Sequence, residues 1–437
     1  MFSIVYRLRA LLRRRFASTA LPVLLMLAPV NIAIAQTLTL NDALSVALRE
    51  APVLRADTAL IEAAQYATVP AGELPDPKLI LGLDNVPIEG DDRFSTGADF
   101  MTMQRIGLMQ EFTNPAKREA RTEQANAQVD VMRAAERVQR QTILRETALA
   151  WIARYTWEQQ QAQVAELQRE NTLFDGVVRA RLAAAQGTAL EALLPREEAA
   201  EIAALQDQIN AGREQSTAQL RRWIGTAADL PLGGEVPEWP ISSTTLRDQL
   251  HQHPELLEFT SQERALDADI AAARADKNPD WDVEFAWLER GSAHDDMVML
   301  QVRVDLPVFA GSRQNPTIAS QQAKRMALDA DRESSLLERT AMLEVEVAEY
   351  HWLQQAERRF DDVLLPLAEE KVALALASWR GGAGTLTDVI AARRARIAMR
   401  LKAIANTGAL HQSAARLHFA YGDLYAGSAG NLTGARP

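Results

Sequence analysis

Residues 116–175 contain neither glycine nor proline, and residues 317–365 repeat that feature. Runs of this length, rich in Ala, Gln, Glu and Arg, favour helix, and at 1.5 Å per residue the first would reach roughly 90 Å. No compact domain of this size needs such a rod. Each run opens with Asn-Pro, at Asn114-Pro115 and Asn315-Pro316, which predicts an N-cap followed by a proline in the first turn. The alanine-rich faces predict close helix packing, as in coiled coils and related barrels, although the apolar stripe drifts and is not a strict heptad.

The two rods belong to a longer duplication. Pro52 recurs as Pro254 and Pro77 as Pro279, both 202 residues on. Phe112 pairs with Phe309, Gly187-Thr188 with Gly384-Thr385, and Leu220 to Gly225 with Leu417 to Gly422, all 197 residues on. Five anchors on two constant offsets make chance matching a poor explanation. The missing residues fall between Pro279 and Phe309, in a segment expected to be a loop, where length changes cost least. The chain therefore reads as a first repeat over 36–237 and a second over 238–425. The Pro- and Gly-rich stretch from Pro231 to Pro240 serves as linker, and a small, polar tail over 426–437 is expected to be disordered.

Between the prolines and the rods the period changes from helical to alternating. Trp281, Val283, Phe285 and Trp287 share one face against Asp282, Glu284 and Ala286, and Val298, Leu300, Val302, Val304 and Leu306 oppose Gln301, Arg303 and Asp305. The first copy offers Leu79, Leu81, Leu83, Ile106 and Leu108 against Asp84 and Arg105. A soluble half-buried sheet and a membrane barrel both fit strands of this kind. The N-terminus and the strand length tip the balance toward the barrel. Arg7, Arg9, Arg13, Arg14 and Arg15 precede an apolar run from Leu21 to Ile34 that ends in Ala33-Ile34-Ala35, the layout of a secretory signal over residues 1–35, cut before Gln36. In an exported chain, strands of about ten residues with an apolar outer and a polar inner face are the outer-membrane pattern. Four strands cannot close a barrel and open edges are not tolerated in lipid, so several chains must pool their hairpins.

Charge and composition exclude other classes. The net charge of −11 would become −16 without the five leader arginines, which disfavours nucleic acid as a partner. The absence of cysteine removes thiolate metal sites and cysteine nucleophiles.

The sequence resembles the TolC family of outer-membrane factors over nearly all of the mature chain. The resemblance rests on the duplicated strand-strand-helix-helix unit, on Leu306-Pro307-Val308-Phe309-Ala310-Gly311-Ser312-Arg313, and on the turns at Gln186-Gly187-Thr188 and Gly381 to Val389. Leu74 to Pro87 and Met103 to Phe112 are similar to the heavy-metal branch typified by CzcC and CusC. The resemblance implies a mainly α fold with a membrane β-barrel contribution: a homotrimer with a 12-stranded barrel in the outer membrane and a long periplasmic α-helical barrel. It further implies docking to a periplasmic adaptor and an inner-membrane RND pump, export of metal cations, no cofactor and no chemistry of its own. A TolC-like channel for drugs or other organic compounds is the alternative, and a soluble periplasmic adaptor is disfavoured because each half carries its own amphipathic strand pair.

The same resemblance places a constriction at the periplasmic tip, with Asp388 at the position of a lining acid and Trp379 where an aromatic is usual, beside the turns at Gly187 and Gly384. The arginine often found in that turn is absent, and Ala391 replaces a second acid. Asp84, Asp282, Glu284 and Asp305, with Arg105 and Arg303, are expected to face the lumen and to favour cations. Met101 and Met103 are expected on the Arg105 face and Met297 and Met299 on the Arg303 face, where thioethers suit Cu(I) or Ag(I), though flexible packing explains them as well. His251-x-His253 lacks further metal ligands. Gly381 to Gly384 lacks the Gly-Lys-Ser/Thr of a phosphate loop and reads as a turn between helices. Neither a nucleophile-base pair nor a complete metal set is evident, so no enzyme is expected.

Overall fold

The computed structural model describes residues 37–291 and 294–422. The expected signal over 1–35 and the tail over 426–437 lie outside the described residues. The first half runs α1 (Leu40–Glu50), α2 (Pro52–Ala71), β1 (Lys78–Asp84), β2 (Met103–Phe112), α3 (Pro115–Ala183) and α4 (Leu194–Ile224). The second runs α5 (Ser243–Gln249), α6 (Pro254–Ala275), β3 (Trp281–Glu289), β4 (Met297–Val304), α7 (Gln314–Arg359), α8 (Leu365–Arg380) and α9 (Leu386–Tyr421). The element order repeats, with Pro52 and Pro254 each opening a helix. Among the described residues no helix is long and apolar enough to cross a membrane.

At 69 residues α3 is the longest rod, roughly 100 Å of helix. Asn114 caps it, its side chain accepting from the Ala116 N–H, and Pro115 takes the first turn where its missing N–H costs nothing. The second rod departs from expectation at both ends. Its N-cap is Arg313, without a side-chain cap bond, so Asn315-Pro316 lies inside the first turn. It also continues past residue 365: a π-helical turn over Phe360–Leu364 precedes Pro366, and α8 carries on to Arg380. An i→i+5 turn is a recognised way to absorb a proline that cannot donate to the regular ladder.

The four strands form one antiparallel sheet in the order β1-β2-β3-β4, so β2 and β3 join the two halves. Each strand meets its helix at the same end of the sheet, and the hairpin connections after Asp84 and after Glu289 leave from the other. The second loop is the shorter, as the change of offset requires. β4 ends at Val304, before Leu306, because Pro307 cannot extend a ladder. Asp280 fastens the sheet to the helices: its carboxylate accepts from the Asn114 N–H at 2.7 Å and pairs with Lys117 Nζ at 2.7 Å, tying the second half's strand to the first half's rod.

The main core sits where short and long helices meet. Leu40, Ala43 and Ala47 of α1 pack on Ile143, Trp151 and Ile152 of α3 and on Leu220 and Ile224 of α4, and Trp151 Nε1 donates to the Leu38 carbonyl at 3.1 Å. Leu417, the repeat partner of Leu220, is likewise fully buried, against Leu246, Leu343 and Tyr421. The linker is not a free hinge: the Leu38 N–H donates to the Pro231 carbonyl, and Trp239 stacks on His418.

His253 is buried at the N-cap of α6, its Nδ1 accepting from the Glu255 N–H. Burial, assisted by the positive Arg339 and Arg145, pushes its imidazole down to about 4 from an ordinary 6.5. A depressed histidine stabilises the fold above its unfolded value and loses that contribution as pH falls from 6.5 toward 4, because only the unfolded chain takes the proton. The loss should amount to about 3 kcal/mol. Thermal melts of the purified protein at pH 7.5 and 5.0 should show about 2 kcal/mol of this loss, the remainder falling between pH 5 and 4, and His253→Asn, which can cap the helix without titrating, should shrink it. Leu417→Ala should cost roughly 2–5 kcal/mol at either pH.

Candidate functional site

Two places gather the residues that chemistry could use: the sheet and the far tip of the helices. On the sheet the pleat sorts side chains by register. Leu79, Leu108, Phe285 and Leu300 lie in one cross-strand row, and Leu81, Ile106, Trp287 and Val298 in another. All eight are exposed. Phe112, Trp281 and Val304 close this face near the helices, with the two aromatic rings stacked at 4.3 Å. From the Phe112 row to the Gln104 row this face spans roughly 26 Å along the strands. A continuous exposed apolar face of this size demands a partner or a lipid phase.

The opposite face carries the charges. Arg105 Nε lies 3.3 Å from Asp84 on β1, and its Nη1 lies 3.3 Å from Glu284 on β3. Arg303 on β4 donates from Nε to both oxygens of Asp282, at 3.0 and 3.2 Å, and its Nη1 lies 3.5 Å from Glu284. Glycine is required at one point of this face: a Cβ at Gly107 would approach Ala286 Cβ to 2.9 Å, whereas at Gly82 it would only touch the Arg105 guanidinium at 3.6 Å. The acids are therefore not free cation ligands. Asp84, Asp282 and Glu284 are held by arginines, and only the exposed Asp305, past the end of β4, lies outside that set.

The methionines do not assemble as the sequence suggests. Met101 stands in the turn before β2, off the strand, where its carbonyl accepts from Asn85. Met103, Met297 and Met299 lie on the charged face, but Met103 pairs with Asp84, Met297 with Leu288 and Met299 with Ala286, so β3 separates the first from the other two. Met109, beside Glu284 in the register, is a further sulfur on this face that the sequence reading missed. Alternation from Arg105 onward would have found it.

At the tip, α3 turns into α4 through Ala184 to Leu193, and α8 into α9 through Gly381 to Thr385. The two turns repeat one device. Glu191 accepts from the Thr188 N–H at 2.8 Å, and the Thr188 hydroxyl accepts from the Glu191 N–H. Asp388 accepts from the Thr385 N–H at 3.0 Å and its hydroxyl at 2.6 Å, and the Thr385 hydroxyl accepts from the Asp388 N–H at 3.2 Å, a reciprocal capping box. Those bonds from Thr385 hold the Asp388 carboxyl below the usual carboxylate range. Gly382 takes φ +77, and a Cβ at Gly384 would meet Ser378 Oγ at 2.7 Å, whereas at Gly187 it would touch Glu191 at 3.0 Å.

Trp379 is half-buried, not displayed. The Arg181 guanidinium lies over its ring at 4.4 Å and Phe174 packs beside it, locking α8 to α3. Behind it runs an ion ladder that the sequence reading did not single out. Arg393 of α9 lies over the Phe174 ring and 3.6 Å from Glu198, Arg396 joins Glu170 of α3 to Glu369 of α8, and Arg400 also reaches Glu369. Burial raises the Glu198 carboxyl while Arg393 and Arg394 oppose it. The signal was present as the basic spacing Arg393, Arg394, Arg396, Arg400 opposite Glu197, Glu198 and Glu201, but helix pairing had to be known before it could be read.

Comparison with known proteins follows the same architecture. Residues 245–423 match the family model described as outer membrane efflux protein, and proteins of that family are non-enzymatic transport channels. No curated protein sequence matches the chain. The fold matches a membrane protein from Pseudomonas aeruginosa (TM-score 0.74, 18% identity, 88% of this chain and 93% of that one). It also matches CusC, whose crystal structures were described in terms of folding and transmembrane channel formation (TM-score 0.74, 16% identity, 88% and 92%). A third match is the outer membrane protein VceC of Vibrio cholerae (TM-score 0.70, 18% identity, 88% and 96%). At these identities the likeness is one of fold.

Thr385→Val removes the hydroxyl on which the capping box turns and should cost about 1 kcal/mol of local helix stability. Limited proteolysis should then cut faster within residues 381–388 than in the parent. Asp388→Asn keeps an acceptor oxygen and should be cut at an intermediate rate.

Proposed function

We propose that this chain is the outer-membrane channel subunit of a tripartite efflux pump. Three copies pool their hairpins into a 12-stranded barrel, and their rods form a periplasmic helical tunnel that meets an adaptor and an inner-membrane RND pump. The observation that carries this reading is the sheet: an exposed apolar face about as tall as an outer-membrane barrel band, a paired-charge face behind it, and two unpaired edges. The family match over the second half and the fold likeness support it. On this reading residues 1–35 are the export signal, and residues 36–237 and 238–425 are two efflux repeats of one ancestor. The turns at Gly187 and Gly384, with Asp388 and Trp379, are the periplasmic end of the tunnel.

Heavy-metal cations are the proposed cargo, on the resemblance of Leu74–Pro87 and Met103–Phe112 to the metal branch. An organic cargo is the second reading, favoured by the dispersal of the methionines and by the pairing of the acids with arginines. Deletion of the gene in its native host, with complementation, separates them. Selective sensitivity to Cu, Ag, Zn, Co or Cd is expected, and sensitivity confined to dyes and detergents would keep the channel and remove the metal. Independently of cargo, Leu300→Arg on the apolar face should cost roughly 2–4 kcal/mol near the bilayer midplane, read as loss of the heat-modifiable oligomer from outer-membrane fractions.

A further inference from the structure

Among the side chains within the four strands, charge on the polar face is nearly balanced, and one residue breaks the balance. Arg105 can be matched with Asp84 and Arg303 with Asp282, while Lys78 and Glu111 pair with each other at 3.4 Å. Within the strands that leaves Glu284 in excess, and the exposed Asp305, just past the end of β4, is a further acid. Glu284 is also the one acid that both arginines share, at 3.3 and 3.5 Å from two different strands, and it is only 1% exposed even though it stands on the polar face. Among the five side chains Asp84, Arg105, Asp282, Glu284 and Arg303 the formal sum is −1 per chain, two positive against three negative.

We infer that Glu284 sets the ion preference of the barrel lumen, by supplying its excess negative charge and by holding Arg105 and Arg303 flat against the wall. The inference rests on the channel reading above. Glu284 need not touch a passing ion, since a carboxylate set into a low-dielectric wall projects its field into the lumen. Three copies place three such charges in one ring, the arrangement by which pores select for sign. Its guanidinium partners matter equally. With Glu284 ionised, Arg105 bridges Asp84 and Glu284 across the bare surface of Gly82, Gly107 and Ala286. Without that charge the two arginines lose their common anchor and can reach toward the lumen, adding positive field where negative field was lost. Both effects act in one direction.

The test is the reversal potential of purified full-length protein in planar bilayers under a KCl gradient at about 0.01 M salt, where the Debye length is about 30 Å. Glu284→Gln should lower the cation-to-anion permeability ratio by roughly twofold, and Arg303→Gln should raise it. Glu284→Asp, which keeps the charge, should stay on the parent's side of Glu284→Gln. A conducting Glu284→Gln channel with the parent's reversal potential overturns the inference. Should that variant fail to assemble, Arg303→Gln decides alone, since its half-exposed side chain can be changed without emptying a core, and an unshifted potential there overturns the inference equally. If the parent protein itself forms no conducting channel, the failure lies with the channel reading and takes the inference with it.

Discussion

The unpaired outer edges of β1 and β4 govern the rest of this structure. A four-stranded sheet with one apolar and one charged face leaves backbone donors and acceptors bare along both edges, which in water template aggregation and in lipid go unsatisfied. The exposed apolar face calls for a partner or a lipid phase, and the paired charges behind it disfavour burying that side against a hydrophobic layer. Joining β4 of one copy to β1 of the next answers both demands. The up-and-down strand order permits it, because strands alternate direction around such a ring.

The helices carry the same incompleteness. α3 buries seventeen side chains along its length, whereas α7, two-thirds as long, buries only Leu343, Val347 and Leu353. Met326, Leu337, Val345 and Trp352 are left exposed. A rod with that much bare apolar surface gains its stability from neighbours, since helical propensity alone contributes little. In the proposed trimer those neighbours are other copies, so barrel closure and tunnel formation become one assembly event. Asp280, bonded to both Asn114 and Lys117, is the joint through which the sheet's position fixes the rods.

Much of this could be read in the sequence because it is written in period and spacing. The glycine-free runs marked the rods, the shift from offset 202 to 197 marked the shortened second hairpin, and alternation from Trp281 and from Val298 marked the face of each strand. Side-chain partnerships were less legible. Asp388 was marked by its place in a motif, yet the structure shows a carboxylate engaged by Thr385, and Trp379 is held between Arg181 and Phe174, residues some two hundred positions away. The acids of the charged face were visible as acids, but their arginines approach from other strands. Asn315 failed as a cap because the helix begins two residues earlier than the Asn-Pro pair suggests, with the Asn315 N–H donating to the Ala310 carbonyl of the preceding turn.

The proposed channel requires that β1 and β4 meet across copies. The chain has no cysteine, so single pairs of cysteines scanned along Leu79–Leu83 and Val298–Val304 can report that contact without background. Under oxidising conditions in outer-membrane fractions, at least one register should yield covalent species ending at three chains. A protein present in the membrane at normal levels, with both thiols free at every register or with cross-links only within one chain, would contradict it.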